Sequence, residues 1–369
     1  MKYFAILYTS GVGGVWTVVK ESLPELKKNY DVHLILFTRN SELDENVIDF
    51  LEIHSIKYTI ININANNGWL FDLKRRLKVK VINRIIGIDP AIVHSHDSFS
   101  SSSYLPYLKK SNRYLFCTFH GTLFGDSSLL GCVQNWVNKN VRIRLLDDDN
   151  IHLISCDPLN VPKLQSYFGR AVCVDTSVNG VAPVNIHKVK QKNFIVGYIS
   201  RFHPLKNWHL VADACLQLSQ DGYNVKVLFA GTGECDKEVK EWCAKHSYIT
   251  IYMGFCSDIR NQVLPKVDLH VLPTEYPEGL PMIILECMAA GIPSVTTAVG
   301  SCAYAVKNGV NGTIIKPNVN EITCAIKKYI DDATFYQTHS NQCIKYWREC
   351  FSATSMALRY KSIFDKYIF

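Results

Sequence analysis

Residues 277 to 293 read Pro-Glu-Gly-Leu-Pro-Met-Ile-Ile-Leu-Glu-Cys-Met-Ala-Ala-Gly-Ile-Pro, placing two carboxylates, Glu278 and Glu286, around an otherwise apolar stretch. Pro281 has the fixed φ suited to a first helical position, and Gly291 followed by Pro293 is a stop signal, so a helix is predicted over about 281–290. Glu278 then lies in the loop before the helix mouth, and Glu286 sits roughly 7–8 Å along the axis at 1.5 Å per residue. A carboxylate at one end, backbone amides at the mouth and a second carboxylate further down can hold one extended polar ligand at three points. Paired carboxylates also serve acid–base hydrolysis, so the surroundings must decide.

Cations come next. Arg201 and Lys206 follow the apolar run 194–200, where two basic side chains at a strand's carboxyl end can clamp a diphosphate and neutralise departing charge. A solvated surface is the plain alternative for two basic loop residues. The following loops are also permissive: Gly231-Thr232-Gly233-Glu234 after one strand and Gly254 after the next. Near the start, Ser10-Gly11-Val12-Gly13-Gly14 ends a strand and opens a helix, so Gly13 and Gly14 would let a phosphate or sugar approach the backbone. Trp16 stands where a dinucleotide fingerprint needs its third glycine, which excludes that fingerprint and leaves a tight strand–helix turn as the alternative. His120, before Gly121, is placed to bond a sugar hydroxyl or a reacting group, although a lone histidine is more often structural. His94 and His96 with Asp97 lack a further ligand for a metal, and packing or an acceptor contact accounts for them better. A nucleoside diphosphate sugar has the shape and groups that this set would fit.

The elements that must position these residues alternate short Val/Ile/Leu-rich runs with helical stretches. Strands are predicted at 3–8, 32–38, 58–62, 91–94, 114–119 and 152–155, then at 194–200, 225–230, 250–253, 269–273, 294–298 and 313–315. That is an α/β chain of two doubly wound Rossmann-like domains with about six parallel strands each. The polar stretch 182–193 is the expected linker. It divides residues 1–182 from residues 183–350, with a last helix in 351–369 expected to pack back on the first domain.

Composition bounds the function. The chain has 369 residues, is 47% hydrophobic and 20% charged, and so has ample material for two cores. A net charge of +7 suits an anionic ligand or a membrane surface without the charge density of a nucleic-acid binder. Thirteen cysteines without a Cys-x-x-Cys pair point to buried reduced thiols in a cytosolic protein, not to disulfides or zinc. Lys2–Tyr8 lacks the length and cleavage site of a signal peptide, and no run of about 18 apolar residues occurs. Residues 69–86 combine Lys74, Arg75, Arg76, Lys78, Lys80 and Arg84 with Trp69, Leu70, Phe71, Leu73, Leu77, Ile82, Ile85 and Ile86. Such a basic amphipathic helix suits either peripheral contact with anionic lipid headgroups or a sheet-covering role with a basic outer face.

The chain resembles glycosyltransferase family 4, retaining enzymes of the GT-B fold, over most of its length and most closely from Gly197 to Lys316. The most specific element is the Glu-x7-Glu segment from Glu278 to Glu286; Gly13-Gly14, His120-Gly121, Val178-Asn179-Gly180-Val181, Arg201 with Lys206, and Asn311-Gly312 follow in the family's order. The resemblance implies two Rossmann-like domains facing each other across a cleft. It implies that Arg201 and Lys206 bind the donor diphosphate and stabilise it as leaving group. Glu278 would lie by the transferred sugar, Gly279 and Leu280 would offer amides to the phosphate, and Glu286 would accept ribose hydroxyls. His120, Gly13 and Gly14 would act from the other domain, and Gly231 would line the donor site. It also implies a nucleotide-diphosphate sugar as donor, a saccharide or lipid-linked acceptor, and no metal or other cofactor. Tyr304 stands where the family often has an acid, and Ala182 where it usually has aspartate. A nucleotide-sugar epimerase or hydrolase of the same fold, or a non-catalytic nucleotide-sugar or glycan binder, are the alternative readings.

Overall fold

A computed structural model describes residues 1–8, 13–39, 43–63, 68–96, 103–120, 146, 148–169, 172–189, 191–276 and 279–368. Its Val/Ile/Leu-rich runs form strands, and the central ones are buried on both faces, which is why they read as continuous apolar segments. The chain makes two units: Met1–Gly180 with Ala353–Phe369, and Val181–Ser352.

The first unit is a seven-stranded parallel sheet: β1 (Lys2–Tyr8), β2 (Asp31–Thr38), β3 (Lys57–Asn62), β4 (Ala91–Ser95), β5 (Arg113–Phe119), β6 (Ile151–Ser155) and β7 (Val174–Thr176). Their spatial order is β3-β2-β1-β4-β5-β6-β7, with every pair parallel. β7 is an addition to the strands predicted from sequence. One face packs against a core containing Phe37, Ile82, Ile86, Leu115 and Phe119. On the other, Phe364 of the last helix, Ala353–Ile368, sets its ring 4.6 Å from Phe116 and 5.7 Å from Tyr3.

The second unit is a six-stranded parallel sheet: β8 (Phe194–Ile199), β9 (Val225–Ala230), β10 (Thr250–Gly254), β11 (Leu269–Leu272), β12 (Ser294–Thr296) and β13 (Gly312–Ile314), in the order β10-β9-β8-β11-β12-β13. Each sheet therefore reverses direction once, between β1 and β4 in the first and between β8 and β11 in the second. Ligands of open α/β sheets bind at this reversal, outside the strands' carboxyl ends.

The basic segment differs from expectation. It forms two helices, Gly68–Leu77 and Val79–Ile86, with Lys78 as the N-cap of the second. Arg75 is buried with its guanidinium 5.7 Å from the Phe37 ring centroid, while Ile82 and Ile86 join the core. The segment thus covers the sheet with one side and still exposes Leu73, Leu77 and Val81 on another. Among the described residues no helix is long and apolar enough to cross a membrane. The twelve described cysteines are all free; Cys132 lies outside the described residues.

Candidate active site

The reversal in the second sheet is built from the loops after β8 and β11. Phe202 anchors the first loop: its ring is fully buried, 6.0 Å from Tyr198, and its amide donates to the Thr232 carbonyl at 3.0 Å. That inward turn leaves Arg201 exposed. The loop then makes a short 3-10 turn, Pro204–Lys206, and ends at Asn207 in the left-handed region with φ 52°. Its Leu205 carbonyl accepts two amides of the second loop, Glu275 at 2.7 Å and Tyr276 at 3.0 Å. The Asn207 side-chain amide crosses the other way, donating to the Pro273 carbonyl at 2.9 Å and to Glu275 Oε2 at 2.8 Å. The two loops are therefore stitched together by four hydrogen bonds.

Their side chains converge on one ring. The Arg201 guanidinium lies 5.5 Å and the Lys206 ammonium 5.6 Å from the centroid of Tyr276, both within cation–π range. His203 meets the same ring edge-on at 4.8 Å. Its Nδ1 accepts from the Leu205 amide at 3.1 Å, so Nε2 carries the neutral ring's proton and faces Glu234 Oε2 at 3.7 Å. Gly231 and Gly233 permit this approach. At φ +145° a Cβ on Gly231 would overlap the Ser200 carbonyl oxygen, and one on Gly233 would lie 2.5 Å from the Phe202 carbonyl oxygen. Gly231 is thus required by the packing of the Arg201 loop.

The carboxylate helix spans Met282–Ala289, and Pro281 is its N-cap at ψ 121° instead of the predicted first helical residue. Gly291 follows at φ +69°. Glu278 lies outside the described residues. Glu286 Oε1 accepts from Arg260 Nε at 3.1 Å, with both side chains mostly buried. Arg260 belongs to the short helix Ile259–Gln262 after β10. It is absent from the residues singled out by sequence, although it follows a strand's carboxyl end as Arg201 does. Ahead of the helix, Leu280 is buried and the Gly279 carbonyl accepts from the Ser301 amide at 3.1 Å. Tyr304 lies under the Lys307 ammonium, 5.1 Å from its ring centroid, and edge-on to Phe351 at 6.0 Å. Buried Asn311 braces that loop, its side-chain oxygen accepting from the Lys307 amide and its amide donating to the Ala305 carbonyl.

In the first unit, Gly13 caps the helix Gly14–Leu26 at φ +120°, and no described atom lies within 4 Å of a Cβ built on Gly13 or Gly14. His120 follows β5. Its Nε2 is 3.2 Å from His96 Nδ1, and the two rings stack at 5.4 Å. His96 Nε2 meets the Tyr3 hydroxyl at 3.4 Å, which meets His94 Nδ1 at 2.8 Å; His94 Nε2 ends the string on Thr118 Oγ1 at 2.6 Å. Burial pushes the imidazoles of His94 and His96 well below their ordinary pKa, aided by neighbouring imidazoles, so both stay neutral. The histidine pair near Asp97 thus makes side-chain hydrogen bonds with Tyr3, Thr118 and His120. Among the described residues no cluster of three metal-ligating side chains occurs.

Comparison with known proteins agrees with this architecture. Residues 184–349 match the model for glycosyl transferases group 1, and residues 12–147 match the model for glycosyltransferase family 4. A capsular polysaccharide biosynthesis glycosyltransferase of Staphylococcus aureus, CapM, is 26% identical over 49% of this chain and 48% of its own length. An Escherichia coli UDP-Gal:alpha-D-GlcNAc-diphosphoundecaprenol alpha-1,3-galactosyltransferase is 22% identical over 80% of this chain and 73% of its own. The chain spans about half the length of some curated relatives it matches, CapM among them. In fold it is similar to HepE of Anabaena, solved with UDP, at a TM-score of 0.78 and 20% identity over 99% of this chain and 100% of that one. With one glycosyltransferase model matched in each unit and two parallel Rossmann-like sheets beneath them, the chain belongs to the GT-B glycosyltransferases.

Proposed function

We propose that the chain is a retaining glycosyltransferase that moves a hexose from a nucleotide-diphosphate sugar to a saccharide or lipid-linked acceptor in surface glycan assembly. The observation that carries the reading is the pair of cations, Arg201 and Lys206, gathered at the reversal of the second sheet. When the sugar–phosphate bond breaks, negative charge grows on the departing diphosphate, and fixed cations there lower the barrier without reorganising. Glu286 then takes the ribose, oriented by Arg260, while Glu278 takes the transferred sugar. Gly279 and Leu280 offer amides to the phosphate, and His120 with the Gly13-Gly14 turn acts from the first unit. The reading needs no metal, since the two side-chain cations carry the neutralisation.

A UDP-sugar is the donor class to test first, because a HepE structure holds UDP-glucose. A lipid-linked acceptor is supported by the diphosphoundecaprenol in the E. coli relative's name. The exposed row Leu73, Leu77, Val81 beside basic Arg76, Lys80 and Arg84 supports peripheral contact with an anionic membrane face. Release of nucleoside diphosphate and the anomeric configuration of the product, followed by NMR, test the reading. Turnover should need an acceptor, keep the donor's configuration, and collapse in Arg201→Ala and Glu278→Gln. Unaltered turnover in both variants would overturn it. A sugar epimer formed without acceptor product would favour the epimerase alternative, and donor binding without turnover the non-catalytic one.

A further inference from the structure

Tyr276 receives three side chains from a single six-residue stretch: Arg201, His203 and Lys206. Its own backbone is fixed, the amide donating to the Leu205 carbonyl at 3.0 Å and lying 3.1 Å from Thr274 Oγ1. The neighbouring Glu275 is held from the same loop, through its amide on Leu205 and its carboxylate on Asn207. The ring thus stands on a hydrogen-bonded backbone, and a short basic loop is folded against it.

We propose that Tyr276 is a positioning residue, a π platform that holds the Arg201 guanidinium and the Lys206 ammonium against one ring so that a diphosphate meets two cations already gathered. Two like charges at the end of flexible side chains move apart and sample many rotamers. The negative face of an aromatic ring attracts both and removes part of that freedom before the ligand arrives. Residue type is decisive here. A carboxylate in this place would gather the cations equally well, but it would cancel their charge and repel the phosphates. A leucine would leave them dispersed. An aromatic ring orders the cations and leaves their positive potential intact. The face of the ring, not its phenolic hydroxyl, meets the two cations, so the ring alone should suffice.

The inference rests on the reading of Arg201 and Lys206 as partners of the donor diphosphate, and the experiment separates the two. UDP, GDP, ADP and dTDP are titrated against the whole protein by calorimetry, and the tightest is carried forward together with its parent nucleoside. Tyr276→Phe should bind the diphosphate within about twofold of the native protein, whereas Tyr276→Leu should bind it about five- to twentyfold more weakly. Binding of the nucleoside, which has no phosphates, should be unchanged in both variants, as should the melting temperature. A general collapse of the site would instead weaken the nucleoside as well, and that result overturns the proposal. Arg201→Ala and Lys206→Ala provide the reference. If they weaken diphosphate binding while Tyr276→Leu does not, the platform is wrong and the diphosphate reading stands. If neither weakens it, or no nucleotide binds, both fall.

Discussion

The two units share the order of six strands and a point of reversal, yet equip that point in opposite ways. In the first, the residues at the end of β4 are imidazoles drawn inward: His94 and His96 are fully buried, bonded to Tyr3 and Thr118, and neutral. In the second, the residues after β8 stand on a loop whose buried anchor, Phe202, leaves Arg201 on the outside. Topology decides where a ligand can sit, and the depth of the side chain decides whether it meets charge there. A titratable group buried at a strand end, as His96 is, loses its charge to desolvation. Arg201 stands on the outside of its loop.

The largest effect should come from removing that charge. Arg201→Ala is expected to lower nucleoside diphosphate release by about 10²–10³-fold, the usual consequence of losing a preorganised group that meets developing charge. His120→Ala should fall short of this, since on the proposed reading His120 offers a hydrogen bond and not the guanidinium charge of Arg201. Steady-state rates of both variants against the native protein test the order, and equal losses would erase the contrast between the units.

Next in size is a change that alters the fold beneath the second site. Gly231→Ala places a methyl group on the Ser200 carbonyl and forces a side chain onto φ +145°. We expect a loss of stability of about 3 kcal/mol, seen as a lower denaturant midpoint. Gly14→Ala in the first unit meets no described atom within 4 Å and has no positive φ, so its midpoint should stay put. If Gly14→Ala nevertheless weakens donor binding, the open space there belongs to the ligand. A third variant, Arg260→Leu, leaves the Glu286 carboxylate without the donor at 3.1 Å. Nucleotide affinity should fall about tenfold, the scale of a hydrogen bond to a charged group.

How far these sites were legible follows from range. The parallel strands announce themselves because burial on both faces demands continuous apolar runs, and the loops at their ends carried Arg201, Lys206 and His120. β7 did not announce itself: three residues, one of them Asp175, are too few for any period. The basic stretch 69–86 has one helical period throughout, and only the packing of Arg75 on Phe37 and of Ile82 in the core shows which side is taken. Arg260 and Tyr276 were hidden for a different reason. Each meets a partner from a distant part of the chain, Glu286 for one and Arg201 for the other, and no local pattern records such a meeting.

Buried imidazoles make the comparison measurable by pH. The folded pKa values of His94 and His96 lie below the unfolded value of about 6.5. Below that pH the unfolded chain takes up protons that the folded first unit refuses. The stabilisation is therefore complete above pH 6.5 and is lost as pH falls, by at most about 1.4 kcal/mol per pH unit for each histidine. The second unit has its own case in His270, pushed down to about 3 by burial, then by nearby Lys206. Melting temperature followed from pH 7.5 to 5 should drop less steeply in His96→Gln, which has nothing to protonate, and an unchanged slope would mean that His96 does not carry the effect.

The smallest effect concerns the outer face of the first unit. Leu77, at the end of the helix Gly68–Leu77, is 72% exposed; Leu73 in the same helix and Val81 in the next are exposed too, as are Arg76, Lys80 and Arg84. Partial burial of three aliphatic side chains among lipid headgroups is worth only a few kcal/mol at about 25 cal/mol per Å², and each nearby basic residue adds about 1 kcal/mol on an anionic surface. Attachment should therefore be reversible and should need both components. Co-sedimentation with vesicles containing phosphatidylglycerol should exceed that with pure phosphatidylcholine and weaken at high salt. It should fall several-fold both in Leu77→Ser and in the triple Arg76→Gln, Lys80→Gln, Arg84→Gln variant. Loss in the triple variant alone would reduce the contact to charge attraction, with the leucine row left as ordinary surface. Equal binding to neutral vesicles would leave the basic row without a part in it. Turnover on a soluble acceptor should stay at the native rate in every one of these variants, because the second unit's cations lie in the other half of the fold. A parallel fall in that rate would tie the basic face to the chemistry and dissolve the division of labour between the two units.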